Sequence, residues 1–330
     1  MILSKWPMIE TRFKKFSLNG YKHQVWYGDA LAGSGIGMAK LMIGTPQDHL
    51  VVNAYVSHYH AEYNRENDAY KADRMVQALE AGDFINITSN DADAVIYCGD
   101  FNTEPGDLPH RILTQYYGLR DTHVSSKEKL FTCFAEENTY RECDGIKNPR
   151  PKTIDYIMYK SYFESKVPFQ YLSYAHFMHA LNYEYFFLGT KELILKVLQG
   201  KKVHFLLCSL QVLNVRRPLS HVKVKANSYS DHEALEANLE FLDTMDPEPK
   251  ANNNLALKQE IKNELYEGLW HCKKWSILHV FGIFLALFLL STTLTPLLFL
   301  LNLIMLAIYL ERQSTLKATL QDHFGDLDNE

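Results

Sequence analysis

Two kinds of apolar pattern divide this chain. As far as Phe241, short apolar runs stop abruptly at polar residues. From Trp275 to Leu310, by contrast, 36 residues pass without Asp, Glu, Lys or Arg. In the first region, Leu50 to Val56 is Val-rich and ends at Ser57-His58-Tyr59-His60, which predicts a strand delivering histidines to its C-terminal end. Ala72, Met75, Val76, Leu79 and Phe84 recur near helical spacing and predict a helix within Asp68 to Thr88. Ala94 to Cys98 is apolar throughout, as in a strand covered on both faces, and runs into Gly99-Asp100-Phe101-Asn102. Leu108 to Tyr117 reads as a short helix with Asp107 as cap and Pro109 in its first turn. Thr153 to Tyr159 predicts a strand carrying Asp155, and the alternation of Leu235, Ala237, Leu239 and Phe241 predicts a last one. Strands alternating with helices indicate a layered α/β domain.

Phe163 to Lys225 fits this scheme poorly. It is rich in Tyr, Phe and His and holds two mostly apolar runs, Leu193 to Leu198 and His204 to Leu213. A packed insertion, a membrane-facing flap and a poorly ordered stretch are the three readings, and the apolar content argues against simple disorder.

A single helix over Trp275 to Leu310 would be about 54 Å long, against a hydrocarbon core of roughly 30 Å. Two spans fit better, broken at Thr292-Thr293-Leu294-Thr295-Pro296. The expectation is therefore a transmembrane helical hairpin, with one tilted span or a re-entrant segment as alternatives. Lys273 and Lys274 before it, and Arg312 and Lys317 after it, place both flanks on the cytosolic side. Leu255 to Gly268 reads as a juxtamembrane amphipathic helix, and Gln313 to Glu330 as an exposed or weakly helical polar tail.

Charge and cysteines narrow the partners. With 34 basic and 39 acidic residues the net charge is −5, so nothing suggests a nucleic-acid footprint. Five scattered cysteines show no zinc spacing and read as reduced thiols, with a local Cys133 to Cys143 disulfide left open. The N-terminus has no apolar core of the kind a signal peptide needs.

The chemistry lies at the strand ends. Asp100 and Asn102, Asp155, and the distant Ser230-Asp231-His232 together supply parts for metal-assisted phosphoester hydrolysis. His232 suits a general base, since neutral imidazole titrates near physiological pH. Asp155 suits the acid that holds its tautomer. Asn102 offers amide N–H to a phosphate oxygen, and Asp100 accepts from the attacking water. Asp231 is a candidate hard-oxygen metal ligand. His58 is a candidate general acid or stabiliser of the leaving oxygen. Each has a plain alternative as a turn acid or strand-end histidine, and the constellation carries the reading.

These residues carry a resemblance. Gly99-Asp100-Phe101-Asn102, Ile154-Asp155-Tyr156 and Ser230-Asp231-His232 resemble the hallmarks of the endonuclease/exonuclease/phosphatase (DNase I-like) superfamily. Asn53 to Asn64, Leu18-Asn19-Gly20-Tyr21, Asp231-His232-Glu233-Ala234-Leu235 and the hydrophobic C-terminus resemble the animal, membrane-anchored neutral sphingomyelinases. The resemblance covers Leu3 to about Tyr162 and Ser230 to the end. It implies an α/β four-layer sandwich, two mixed β-sheets flanked by helices, followed by the membrane hairpin. It also implies Mg²⁺-dependent cleavage of sphingomyelin, or a related phosphocholine lipid, to ceramide and phosphocholine. His232 would accept the proton, Asn102 would engage the phosphate beside Asp100, His58 would lie near the leaving group and Asp155 behind the base. The short spans suit the endoplasmic reticulum membrane.

Two departures stand against it. The family's opening strand, helix and Mg²⁺-binding Glu strand have no counterpart here, and Glu10 sits in the wrong context to replace that ligand. Phe163 to Lys225 has no family equivalent of that length. A misread gene boundary with a retained non-coding segment, and a natural truncated paralogue, account for both equally well. Ser34 stands where a Lys is expected, while Asp29 is kept. The expected organisation is 1–162 and 226–244 for the phosphodiesterase domain, split by an insertion at 163–225. A linker and juxtamembrane helix at 245–272, two membrane helices at 273–312 and a cytosolic tail at 313–330 complete it. The alternatives are a catalytically impaired membrane-anchored remnant acting as an interaction module, and another DNase I-like phosphoesterase.

Overall fold

The structure is a computed structural model. It describes residues 1–24, 32–46, 48–126, 129–139, 149–161, 209–218, 230, 232–242, 255–288 and 295–325. In chain order the elements are β1 (Met8–Lys15), β2 (Gly35–Thr45), β3 (Asp48–His58), α1 (Lys71–Thr88), β4 (Ala94–Asp100) and α2 (Leu108–Arg111), the last widening into a π turn at Ile112–Tyr116. There follow β5 (Arg120–Asp121), β6 (Asp155–Ser161), β7 (Ser209–Arg216), β8 (Glu236–Leu242), α3 (Leu255–Phe288) and α4 (Thr295–Phe324).

Six strands form one mixed sheet in the order β1-β2-β3-β4-β6-β5. Only β3 and β4 run parallel; the other pairs are antiparallel. Its two faces explain the unbroken apolar run in β4. Val95 and Tyr97 join the large core shared with α1 and α2, whereas Ala94 and Ile96 face the smaller core under β7 and β8. The two-sheet arrangement expected for a DNase I-like fold is therefore present, with the second sheet an antiparallel pair. Among the described residues, helices cover one face of the large sheet.

Several expectations need correction. The Phe163 to Lys225 stretch is not wholly an insertion: its residues 209–216 form β7, pair with β8, and bury Leu210, Val212 and Val215. β1 gives no alternating signal because most of its side chains, including Ile9 and Phe13, are exposed. β2 is concealed by its glycines. The juxtamembrane helix expected at Leu255 to Gly268 is present as the first part of α3, the polar linker before it lies outside the described residues, and the tail, expected to be exposed or weakly helical, continues α4 as far as Phe324. Leu257, Ile261, Leu265 and Leu269 place one stripe of α3 in the main core, and Leu316 and Leu320 do the same for the end of α4.

The long helices pack antiparallel. Trp275 stacks on Tyr309, and His279 Nδ1 lies 3.1 Å from Asn302 Oδ1. Beyond Trp275 the character changes, with Ile277, Phe281 and Phe284 exposed on α3 and Leu297, Leu301 and Ile304 on α4. The segment Pro296–Phe324 is, among the described residues, one helix long and apolar enough to cross a membrane. The break expected at Thr292 to Pro296 falls partly outside the described residues, although α4 does begin at Thr295.

Ion pairs fasten the helix pair to the sheet domain. Arg312 on α4 donates to the buried carboxylate of Asp73 on α1, at 2.8 Å through one of its two contacts, and to Gly20 O at 3.0 Å. Lys71 pairs with Glu264, and Arg111 with Glu260.

Candidate active site

Sheet register assembles three of the site residues. His58 is the parallel partner of Asp100, and Asp100 is the antiparallel partner of Asp155. The three therefore form one row across β3, β4 and β6. Pairing persists just beyond the strand end: Tyr59 N–H donates to Asp100 O at 2.9 Å, and Phe101 N–H to Ile154 O at 2.8 Å. Beneath this row, Tyr59 stacks on Phe101 and Phe101 on Tyr156, with ring centres 5.0 and 5.5 Å apart. All three rings are buried, so the polar row rests on a rigid aromatic floor.

His232 comes from outside the sheet. A single bridge to Cys133 delivers it. Its Nδ1 lies 2.8 Å from Asp155 Oδ2 and its Nε2 3.9 Å from Asp100 Oδ2. Donation from Nδ1 to Asp155 leaves Nε2 on the Asp100 side of the ring, outside that bond, the arrangement a proton-transferring imidazole requires. Asn138 steadies the same segment, donating to Ser230 O and to Glu233 Oε1 at 2.9 and 2.8 Å.

Asn102 adopts a left-handed φ of 45°, which turns it back over the strand end. Its backbone N–H donates to Asp100 Oδ1 at 2.8 Å, and its side-chain amide donates to Tyr59 O at 2.9 Å and Asp100 Oδ2 at 3.3 Å. Offering an amide N–H to a phosphate thus means exchanging the longer bond to Asp100. His58 is exposed, with Nε2 3.4 Å from Asp100 Oδ2, and Ser34 Oγ donates to its carbonyl.

Burial first, and then repulsion from Asp155, pushes the Asp100 carboxyl up to about 6. The hydrogen bond that His232 donates to Asp155 pushes the imidazole up to about 11, helped by a contact with Cys133 and opposed by burial. The site as it stands therefore favours imidazolium and disfavours a second carboxylate charge.

One atom each from Asp100, Asp155 and His232 lies within 4.8 Å of the others, a grouping able to hold a metal ion. Two hard carboxylates, one of them poorly compensated, fit a divalent cation that also keeps waters and binds phosphate. Glu10 is no part of this group: it lies on β1, paired with Lys40 at 2.9 Å and with Arg12. Asp231, Asp29 and Cys143 lie outside the described residues, and Cys133 is a buried free thiol. Sequence reasoning did not single out Asn138, and it named Cys133 only as a possible disulfide partner and Glu233 only within a motif that carries the resemblance. Glu233 adjoins His232 in sequence, but nothing local marks Cys133 or Asn138.

The profile of the Endonuclease/Exonuclease/phosphatase family matches residues 1–232. Human sphingomyelin phosphodiesterase 2 is 36% identical over 165 residues, covering 48% of this chain and 38% of the relative. The mouse sphingomyelin phosphodiesterase 2 is 37% identical over 172 residues, covering 50% of this chain and 40% of the relative. The inositol phosphosphingolipids phospholipase C of Schizosaccharomyces pombe is 28% identical over 181 residues, 48% of this chain and 42% of the relative. The chain thus spans about two fifths of the length of these relatives.

Proposed function

The chain belongs to the Endonuclease/Exonuclease/phosphatase family, and from that premise we propose that it is a phospholipase C-type phosphodiesterase acting on sphingomyelin or a related sphingolipid. The observation that carries this reading is the row His58, Asp100 and Asp155, closed by His232 on Asp155. The names of its relatives supply the substrate class.

The attack needs a water, a base and a neutralised phosphate. His232 takes the proton from water at Nε2, held by Asp155 at Nδ1. The raised proton affinity of the free site opposes this role, so deprotonation must follow a change in local charge. Neutralising Asp100 removes one of the charges that stabilise the imidazolium, and so lowers the proton affinity of His232. Asp100, from its group with Asp155 and His232, would hold Mg²⁺, alongside the sequence candidate Asp231. When bound, the ion would supply charge neutralisation at the phosphate. Asn102 orients a phosphate oxygen, and His58, exposed at the rim, stabilises the leaving oxygen.

The exposed apolar halves of α3 and α4 support a membrane seat, which places the site beside the lipid it must engage. In this reading the pair enters the bilayer as a two-pass hairpin, the catalytic row faces the cytosol, and the membrane is that of the endoplasmic reticulum. The decisive experiment is Mg²⁺-dependent phosphocholine release from sphingomyelin in detergent micelles, with His232→Ala as control. Release that depends on His232 is expected. No release above the control sinks the activity and leaves a family member without this chemistry.

A further inference from the structure

Asp155 and His232 are far apart in sequence, and one buried residue touches the backbone beside both. Thr132 is fully buried. Its Oγ1 accepts the backbone N–H groups of Ile154 at 3.0 Å and Asp155 at 3.1 Å. Its carbonyl accepts Glu233 N–H at 2.7 Å, next to His232. Its own N–H donates to Lys152 O at 2.8 Å. The neighbouring Cys133 exchanges hydrogen bonds with Lys152 and bridges to His232.

We propose that Thr132 is a positioning residue that sets the relative placement of Asp155 and His232, an inference that rests on the catalytic reading above. The backbone of 132–133 alone is enough to pair this segment with Lys152. The hydroxyl does something further. It captures two consecutive N–H groups at the point where β6 begins, and so fixes where the Asp155 side chain leaves the sheet. The carbonyl of the same residue fixes the strand side of the His232 segment. The path from one catalytic side chain to the other thus runs through one residue and two hydrogen bonds. A displacement of about 1 Å in such a pair costs on the order of 100-fold in rate.

Valine keeps the shape of threonine and removes the acceptor, leaving two buried N–H groups without partners. Serine keeps the acceptor. The test uses the full chain in detergent, and its first readout is the low-field proton resonance of the His232 Nδ1–H bonded to Asp155, identified by its loss in His232→Asn. Thr132→Ser is expected to keep this resonance, and to keep phosphocholine turnover within about threefold of wild type. Thr132→Val is expected to shift or lose the resonance and to lower kcat roughly 10–100-fold, with KM nearly unchanged. Thr132→Cys, whose thiol accepts weakly, should fall between them and decides the matter if the valine variant does not fold. A resonance unmoved in the valine variant, or in the cysteine variant when it stands alone, overturns the assignment. Its absence from wild type overturns the pair itself. Because the resonance needs no turnover, a chain without phosphodiesterase activity would fail the catalytic reading, and the resonance alone would then decide whether Thr132 positions the pair.

Discussion

His232 Nδ1 lies 2.8 Å from Asp155 Oδ2, although 77 positions separate the two residues. Asp155 is placed by a six-stranded sheet, and His232 by a segment outside that sheet that bridges to Cys133. Everything proposed about the chemistry depends on this meeting, because the bond to Asp155 fixes Nδ1 and so turns Nε2 toward Asp100.

Asp155→Asn isolates that dependence. The amide keeps the size of the carboxylate but not its charge, so neither the tautomer nor the imidazolium is supported. Phosphocholine release should fall about 10²–10⁴-fold in kcat. KM should move little, since Asp155 is not placed on the phosphate. Equal kcat in wild type and variant would remove Asp155 from the mechanism.

The same contact should be visible in stability against pH. His232 is raised in the folded chain from its ordinary value of 6.5 to about 11, chiefly by the Asp155 hydrogen bond. The folded state therefore binds the proton more tightly than the unfolded state. Its contribution is complete below about pH 6.5 and disappears as pH rises toward 11. Urea titrations without divalent cation should show wild type more stable than His232→Gln at pH 6, with the margin shrinking steadily by pH 10. A margin that grows with pH contradicts the geometry.

Much of this site was legible in the sequence, for a physical reason. Asp100, Asn102 and Asp155 sit at ends of apolar runs, and apolar runs are what strand burial writes into a sequence. What stayed hidden depends on register and on distance. Nothing local says that His58, Asp100 and Asp155 share one row. Thr132 looks like an ordinary threonine until the backbone it serves is in view. Strand β1 hides because its side chains face water, and β7 hides in a segment whose composition resembles an insertion. The polar tail misled for the converse reason: mostly polar residues surround Leu316 and Leu320, the two positions that matter for its docking.

Gly99 precedes Asp100 with φ of +152°, and a Cβ there would lie 1.9 Å from the carbonyl oxygen of Ser57. The obstacle is backbone of β3, one residue before His58, and cannot swing aside. Gly99→Ala should cost about 1–3 kcal/mol from the unfavourable dihedral alone, with the displaced β3 adding to it. Thermal unfolding should show the loss. Turnover should fall further than stability explains, because His58 and Asp100 flank the clash on adjacent strands. A variant with normal midpoint and normal turnover would mean that β3 and β4 are not paired as described.

The pair Asp73 and Arg312 makes the strongest claim about architecture. Burial pushes the Asp73 carboxyl up, and the Arg312 guanidinium outweighs it, so the group is held below the usual carboxylate range. Gly20 N–H also donates to Asp73, at 2.7 Å, so three segments meet at one carboxylate. Removing one partner leaves a buried charge uncompensated and should cost about 3–5 kcal/mol. Arg312→Met should therefore unfold the catalytic region at lower temperature in detergent, although Arg312 lies 80 positions beyond His232. Replacing both partners, as Asp73→Leu with Arg312→Met, should recover much of the loss, because two apolar side chains leave no stranded charge. The depressed carboxyl sets the pH sign: the stability it confers is present above about pH 4 and is lost as pH falls. If Arg312→Met left the midpoint unchanged, α4 would be a tether hung from the domain. If the midpoint falls and the double replacement restores it, the apolar helix pair is part of the catalytic fold, and the orientation of the site relative to the membrane is fixed by packing.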